Sequence, residues 1–442
     1  MLASLTSVLP TSVTSGLAAA QGAAAGASQI TTAAAGAAKS SEAFFSKYGW
    51  YIIGGVVVVI IIISVVLYFL LTPKPKPNPV APAAALNTAV SNSKPIRGTS
   101  GFQSGPEGFQ MPTVPPQDIS AEETTFINLQ PLAIKDVGFL GPYPKGAYDV
   151  VNATGNALKG GFRFLTLQID YMDTTKPGFE KSGEPTLIIR SPSGALMSSN
   201  SGSIQDVATT VANLAFRPEV PHNIQPVILY LHIVRAPNPI SDPNSYIRFL
   251  SKIATAINPV APMHLGLTPL GNFTRQKMED TLLVTPLKSL EGQVIILCNA
   301  DTSLFRSTSK SIDRYDPAQD LDFWVNMRVY LDSEEDNLGM TQPADSSMQP
   351  SAVVADLNRI LNLSGGAASN FAGKSRRRYV IAMPSRTTNP SVKDVDKAIN
   401  TLGVNAIPID IFTSPTADVM AIVGEYANMP YHPKPTALRN IS

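Results

Sequence analysis

The residues able to do chemistry gather at the ends of apolar segments. GFRFLTLQID (161–170) ends on Gln168 and Asp170, EPTLIIR (184–190) ends on Arg190, and PVILYLHIV (226–234) carries His232 near its end. A carboxylate and an imidazole at strand ends can hold a cation or move a proton near neutral pH. His232 reads first as a satisfied core histidine, and Asp170 equally as a structural acceptor or a residual ligand. Arg376, Arg377 and Arg378 follow Lys374 in the densest basic run, and Arg386 lies a few residues on. Such a run is a solvated strand entry by default, or else a contact for acidic lipid, another anion or a protein partner. The chain has 4 histidines in all: His222, His232, His264 and His432. Cys298 is the single cysteine. That excludes an intramolecular disulfide and a cysteine-ligated zinc or iron–sulfur centre.

The elements that must position these groups alternate. Strands are predicted over 161–170, 184–190, 226–234, 292–299, 377–383 and 405–412. Helices are predicted before Gly160–Gly161 and over 203–216, 245–257 and 391–403, with Ser203 as an N-cap and Gly403 as a C-cap. Strand–helix alternation with near-continuous apolar strands argues for an α/β fold with a parallel sheet covered on both faces. About eight strands would suit a TIM-type (β/α)8 barrel, with an open doubly wound sheet as the competitor. In a barrel, the site forms at the C-terminal ends of the strands.

That domain fills 121–442. Residues 1–47 form an Ala/Ser/Thr-rich low-complexity tail without the basic start of a secretory signal. Residues 48–72 hold the uncharged run Trp50–Leu71, flanked by aromatic residues and closed by Pro73. As a helix it would be roughly 33 Å long, enough to cross a bilayer core. Residues 73–120 are a Pro/Ser/Gly-rich linker. Lys74, Lys76, Lys94 and Arg97 after the span, against Lys39 and Lys47 before it, favour a cytosolic C-terminal domain. The net charge of the 442 residues is +1, which excludes a nucleic-acid binder that works by bulk charge.

Taken in order, the segments resemble eukaryotic-type phosphoinositide-specific phospholipase C. ALKGGFRFLTLQID (157–170), EPTLIIRSPSGAL (184–196), PVILYLHIV (226–234) and LKSLEGQVIILCN (287–299) are similar to parts of its X half. LGVNAIPIDIF (402–412) and YHPKPTALR (431–439) are similar to the close of its Y half. The resemblance implies a barrel that cleaves phosphodiesters with two histidines, a calcium ion held by Asn and carboxylates, and lysines on the substrate phosphates. This chain departs from that pattern. No His or Asn lies between Leu129 and Val150, and none of the residues 190–196 is His. Gln168 stands for one carboxylate, His232 for another, and Cys298 and Ala300 for two lysines. Each such loss is worth about 10²–10³ in rate, and the groups act as a unit.

The resemblance with these departures implies a pseudoenzyme: a membrane-anchored, catalytically inactive barrel with a binding or structural role and no cofactor or metal. Gln168, Asp170, Arg190 and His232 would be remnants of the ligand pocket, with Arg190 meeting an anion in the former phosphate site. Arg376, Arg377, Arg378 and Arg386 would be anion or lipid contacts. The expected partners are the bilayer through Trp50–Leu71, another protein, and an acidic headgroup. The tail, stalk and stripped site also resemble membrane and capsid-associated proteins of large DNA viruses, which implies assembly in a virion or host membrane. The rival reading is an active phosphodiesterase with relocated groups. It requires a His or Lys within hydrogen-bond reach of Asp170.

Overall fold

A computed structural model describes residues 124–144, 146–267, 281–302, 319–331, 351–413, 416–426 and 429–440. The predicted tail, membrane span and linker lie outside these residues. Among the described residues no helix is long and apolar enough to cross a membrane.

In chain order the elements begin with β1 (Leu129–Pro131), β2 (Ala133–Ile134), β3 (Phe139–Leu140), β4 (Ala147–Tyr148) and α1 (Val150–Lys159). Then come β5 (Phe164–Tyr171), β6 (Pro185–Leu187), α2 (Ile204–Leu214), β7 (Val227–Ile233), α3 (Pro243–Ile257), α4 (Thr281–Val284) and β8 (Val294–Cys298). The second half holds α5 (Leu321–Trp324), β9 (Met327–Leu331), β10 (Ala352–Asp356), α6 (Leu357–Leu361), α7 (Gly365–Ser375) and β11 (Tyr379–Met383). It closes with α8 (Val392–Asp396), α9 (Ala417–Glu425) and β12 (Tyr431–Pro433).

Seven strands pair in the order β11-β10-β9-β8-β7-β5-β2, every pair parallel. The open edges meet through the segment 405–409. Ala406 bridges Ile381 of β11 and Ile409 bridges Ile134 of β2, both parallel. Backbone bonds secure the seam: Ala382 N donates to Ala406 O at 2.9 Å, Ile409 N to Ala133 O at 3.0 Å, and Lys135 N to Ile409 O at 2.8 Å. Pro408 has no N–H to give, so this stave makes bridges rather than a continuous ladder. Asn405 reinforces it. Its Oδ1 accepts Val380 N, and its Nδ2 donates to the carbonyls of Ile127 and Leu129. The ring is the TIM-like arrangement expected of alternating apolar strands and helices.

Alternation along each strand sorts two cores. Phe164, Ile228, Tyr230, Ile295, Leu297, Val329, Val354 and Tyr379 pack inside the ring. Leu165, Leu167, Leu229, Leu231, Ile296 and Val380 pack outward against the helices. The helices answer with matching stripes. Tyr246, Phe249, Leu250, Ile253, Ala254 and Ile257 recur along one face of α3 and are buried. Asp242 Oδ1 caps that helix at Ser245 N, and Ser203 Oγ caps α2 at Asp206 N, both at 3.1 Å.

One predicted strand takes a different place. EPTLIIR contributes only β6, which runs antiparallel to β5 with Asp170 opposite Thr186. The connection 172–184 holds Pro177, Gly178 and Gly183 and no helix. A parallel return needs a crossover, usually helical, so the chain folds back as a hairpin. The next parallel stave is therefore β7.

Gly403, the predicted C-cap, has φ +72 and lies against Ser375, whose hydroxyl a Cβ would strike. Gly403→Ala is expected to cost about 1–3 kcal/mol. Thermal unfolding of variant and parent checks this, and an unchanged midpoint would refute it.

Candidate functional site in the barrel mouth

The C-terminal ends of β2, β5, β7, β8 and β11 deliver polar side chains to one end of the ring. Inward alternation past Phe164 carries Thr166, Gln168 and Asp170 of β5 toward that mouth. On the next stave His232 stands beside Gln168 in register. Asn299, just past β8, exchanges hydrogen bonds with the backbone of Ile233 at 2.7 and 2.9 Å and so prolongs the ladder.

Asp170 is 2% exposed, and both its oxygens are taken. Arg190 Nε donates to Oδ2 at 3.0 Å, and Arg235 Nε donates to Oδ1 at 2.8 Å. The same two arginines reach Asp173, Arg235 at 2.8 Å and Arg190 at 3.4 Å. Both also donate to Tyr171 O, and Arg190 donates further to Gly194 O. Arg235 lies 4.0 Å over the Tyr171 ring. Two carboxylates thus balance two guanidiniums. The Arg235 hydrogen bond holds the Asp173 carboxyl below its ordinary pKa.

A second group surrounds Arg386. Its guanidinium donates to the Arg190 carbonyl, and its charge acts on Asp136, Tyr148 and His232. Asp136 follows β2, has φ +48, and is buried. Burial pushes its carboxyl above the ordinary value, against the opposing pull of Lys135 and of the Tyr143 hydroxyl, which donates to Oδ2 at 2.9 Å. Lys135 itself donates to the carbonyls of Ser385 and Arg386 at 2.8 and 2.9 Å, anchoring the loop that carries Arg386. Buried polar atoms without a hydrogen-bond partner toward this mouth include Asp136 Oδ1, Tyr148 OH, Thr166 Oγ1 and Gln168 Oε1.

His232 is half-buried, with Nδ1 2.9 Å from the Tyr230 hydroxyl. Tyr230 is fully buried, and burial lifts its pKa well above normal, so it stays a donor. Donation from the phenol to Nδ1 leaves the imidazole proton on Nε2. Burial, and then the Arg386 charge, hold the His232 pKa down at about 4. The imidazole is neutral at pH 7.

The structure therefore brings Gln168, Asp170, Arg190, His232 and Arg386 to one mouth. It puts Arg376, Arg377 and Arg378 elsewhere, between α7 and the start of β11, at the opposite end of the ring. Sequence reasoning missed Lys135, Asp136, Tyr143, Tyr148, Asp173 and Arg235. Arg235 and Asp173 carried a usable signal, since each stands two residues beyond a strand end. Lys135 and Asp136 carried less, because the two-residue β2 has no periodicity to read.

The donor set does not fit the calcium ion that the sequence resemblance implies. Among the described residues no three His, Cys, Asp or Glu side chains gather to hold a metal. A hard divalent cation needs several free carboxylate or carbonyl oxygens, and Asp170 has both of its own on guanidiniums.

Two outcomes follow from this geometry. Asp170→Asn leaves two guanidiniums sharing only Asp173, and is expected to destabilise the fold by ~3 kcal/mol, since Arg235 is partly screened by solvent. Chemical denaturation checks it, and a change under a few tenths would refute it. With a folded pKa of about 4 against an ordinary 6.5, His232 binds its proton more readily in the unfolded chain. Stability falls as pH drops from 6.5 to 4 and then levels. His232→Gln should shrink that fall, measured by thermal unfolding across the window.

No protein-family model matches the chain, and no curated protein matches it in sequence. Solved structures do match. PLC21 of S. officinalis has a TM-score of 0.48 at 14% identity, over 71% of this chain and 38% of that one. PLC21 of L. pealei has a TM-score of 0.46 at 14% identity, with the same coverage of 71% and 38%. The chain thus spans 38% of the length of these two proteins. A calcium-dependent phosphoinositol-specific phospholipase C from a Gram-negative bacterium, Pseudomonas sp, has a TM-score of 0.42 at 10% identity, over 72% of this chain and 97% of that one. In fold, this chain is similar to phosphoinositide-specific phospholipases C.

Proposed function

We propose that the barrel is a phospholipase-C-like domain that binds without catalysing, carried on a membrane anchor at Trp50–Leu71, with a binding or assembly role. The observation that carries the reading is the state of Asp170. A carboxylate that serves as base or metal ligand must offer an oxygen, and both of its oxygens lie on Arg190 and Arg235. His232 adds one neutral imidazole with Nδ1 taken by Tyr230. Phosphodiester cleavage by the route the sequence resemblance implies needs one group to take a proton and another to give one. His232 is the only imidazole in the mouth among the described residues.

The rival active phosphodiesterase requires a His or Lys bonded to Asp170. The side-chain partners of Asp170 are two arginines, and a guanidinium does not act as a proton shuttle at neutral pH. The unpartnered Asp136, Tyr148 and Gln168 atoms beside Arg386 suit recognition of a polar group in the mouth.

The test is the full chain in mixed micelles with phosphatidylinositol and calcium, beside an Asp170→Ala/His232→Ala variant. Equal release of phosphorylated inositol from both, at the level of buffer, is expected. Turnover by the parent above the variant would remove the proposal.

A further inference from the structure

A second basic feature lies at the end of the ring away from the mouth. Gly373, Arg376, Arg377, Arg439 and Asn440 line a concavity of about 390 Å³. No carboxylate is among these lining residues. Neither Arg376 nor Arg377 forms an ion pair with a described residue, although they are adjacent in sequence and both exposed. Arg439 is 5% exposed and is fixed in place by its Nε, which donates to Lys434 O at 2.7 Å. Asn440 is pinned from the other side, its N and O bonded to the Asn128 side chain at 2.7 and 2.9 Å.

Capping of a helix would be the ordinary use of basic residues here, because Arg376 and Arg377 follow α7. Three of the carbonyls at that end are already served. Ala372 O accepts Ser375 Oγ at 2.8 Å, Lys374 O accepts the backbone N–H of Arg377 and Arg378 at 3.0 Å, and Ser375 O accepts Lys434 Nζ at 2.8 Å. None of these bonds comes from an arginine side chain. Lys434 is fully buried beneath the arginines, and burial holds its ammonium down at about 7. The two exposed guanidiniums at this end are therefore those of Arg376 and Arg377.

We propose that this concavity, bounded by Arg376, Arg377, Arg439 and Asn440, binds a phosphate-type anion carried on a small molecule or a lipid headgroup. Guanidinium forks match both carboxylate and phosphate oxygens. Arg376 and Arg377 bring two exposed forks to a concavity whose far wall is the anchored Arg439, and two forks can share the oxygens of one phosphate. The volume falls at the lower end of small-ligand sites and exceeds what a bare ion fills. Two walls, one after α7 and one at residues 439–440, are tied together through Lys434, which makes it a built site rather than a run of surface charge. The site is separate from the barrel mouth and stands whether or not the mouth is catalytic.

Calorimetric titration of the full chain in uncharged detergent micelles tests it, with inorganic pyrophosphate in one arm and dihexanoyl phosphatidic acid in the other. Binding in either arm is expected, weakened about 10-fold or more in Arg376→Gln/Arg377→Gln. Lys181→Gln, in the 172–184 loop at the other end of the ring, controls for bulk charge and should match the parent. Binding of pyrophosphate assigns a soluble phosphate compound. Binding of the lipid alone assigns a headgroup. Affinity weaker than about 10 mM in both arms, or an equal loss in the Lys181→Gln control, overturns the proposal. So does undiminished binding by the double variant, whose exposed positions leave folding intact.

Discussion

The structure depends on the closure of its sheet. A run of parallel strands from β2 to β11 would leave two edges of unpaired N–H and C=O groups, each costly if buried. The segment 405–409 joins them, using Ala406 against β11 and Ile409 against β2. It does so with little ladder of its own, because Pro408 interrupts the donors. Asn405 makes up part of the difference by bonding both β11 and the backbone at Ile127 and Leu129. Closure creates an inside, and only an inside can gather residues as far apart in sequence as Asp136, Gln168, His232 and Arg386.

What the mouth does with its charges sets its chemistry. A carboxylate at a strand end is an available base only if nothing nearby neutralises it. Here the antiparallel return of β6 brings Arg190 back over Asp170, and the residue two beyond β7 brings Arg235 to its other oxygen. The pair that could have bound a cation is satisfied internally. The polar atoms left without partners are neutral or have their charged form disfavoured: the Gln168 amide, the Tyr148 phenol, and the Asp136 carboxyl whose pKa burial raises.

Much of the outer architecture was legible along the chain. Apolar runs of seven to ten residues separated by amphipathic stretches announced parallel strands and covering helices. Ser203 and Gly403 marked helix ends where the side-chain cap and the positive φ are found. The site was legible in part. Gln168, Asp170 and His232 could be placed because each ends a long apolar strand. Lys135 and Asp136 could not, because β2 is only two residues long and its neighbours carry no period. The strand predicted over 377–383 already set the run Arg376–Arg378 at its entry and Arg386 beyond its exit, and β11 sends them to opposite ends of the ring.

The sequence by itself determined the residue inventory: one cysteine, 4 histidines, and no His or Asn between Leu129 and Val150. It also determined the period of each long element, because burial on one face or two is written directly in the spacing of apolar residues. Tertiary structure alone decided that EPTLIIR folds back on β5 instead of joining the ring. It also decided that Asp170 meets two arginines, and that Arg439 joins Arg376 and Arg377 around one concavity. Each of these depends on contacts between residues distant in the chain, and no local periodicity encodes which charge will face which once the ring has closed.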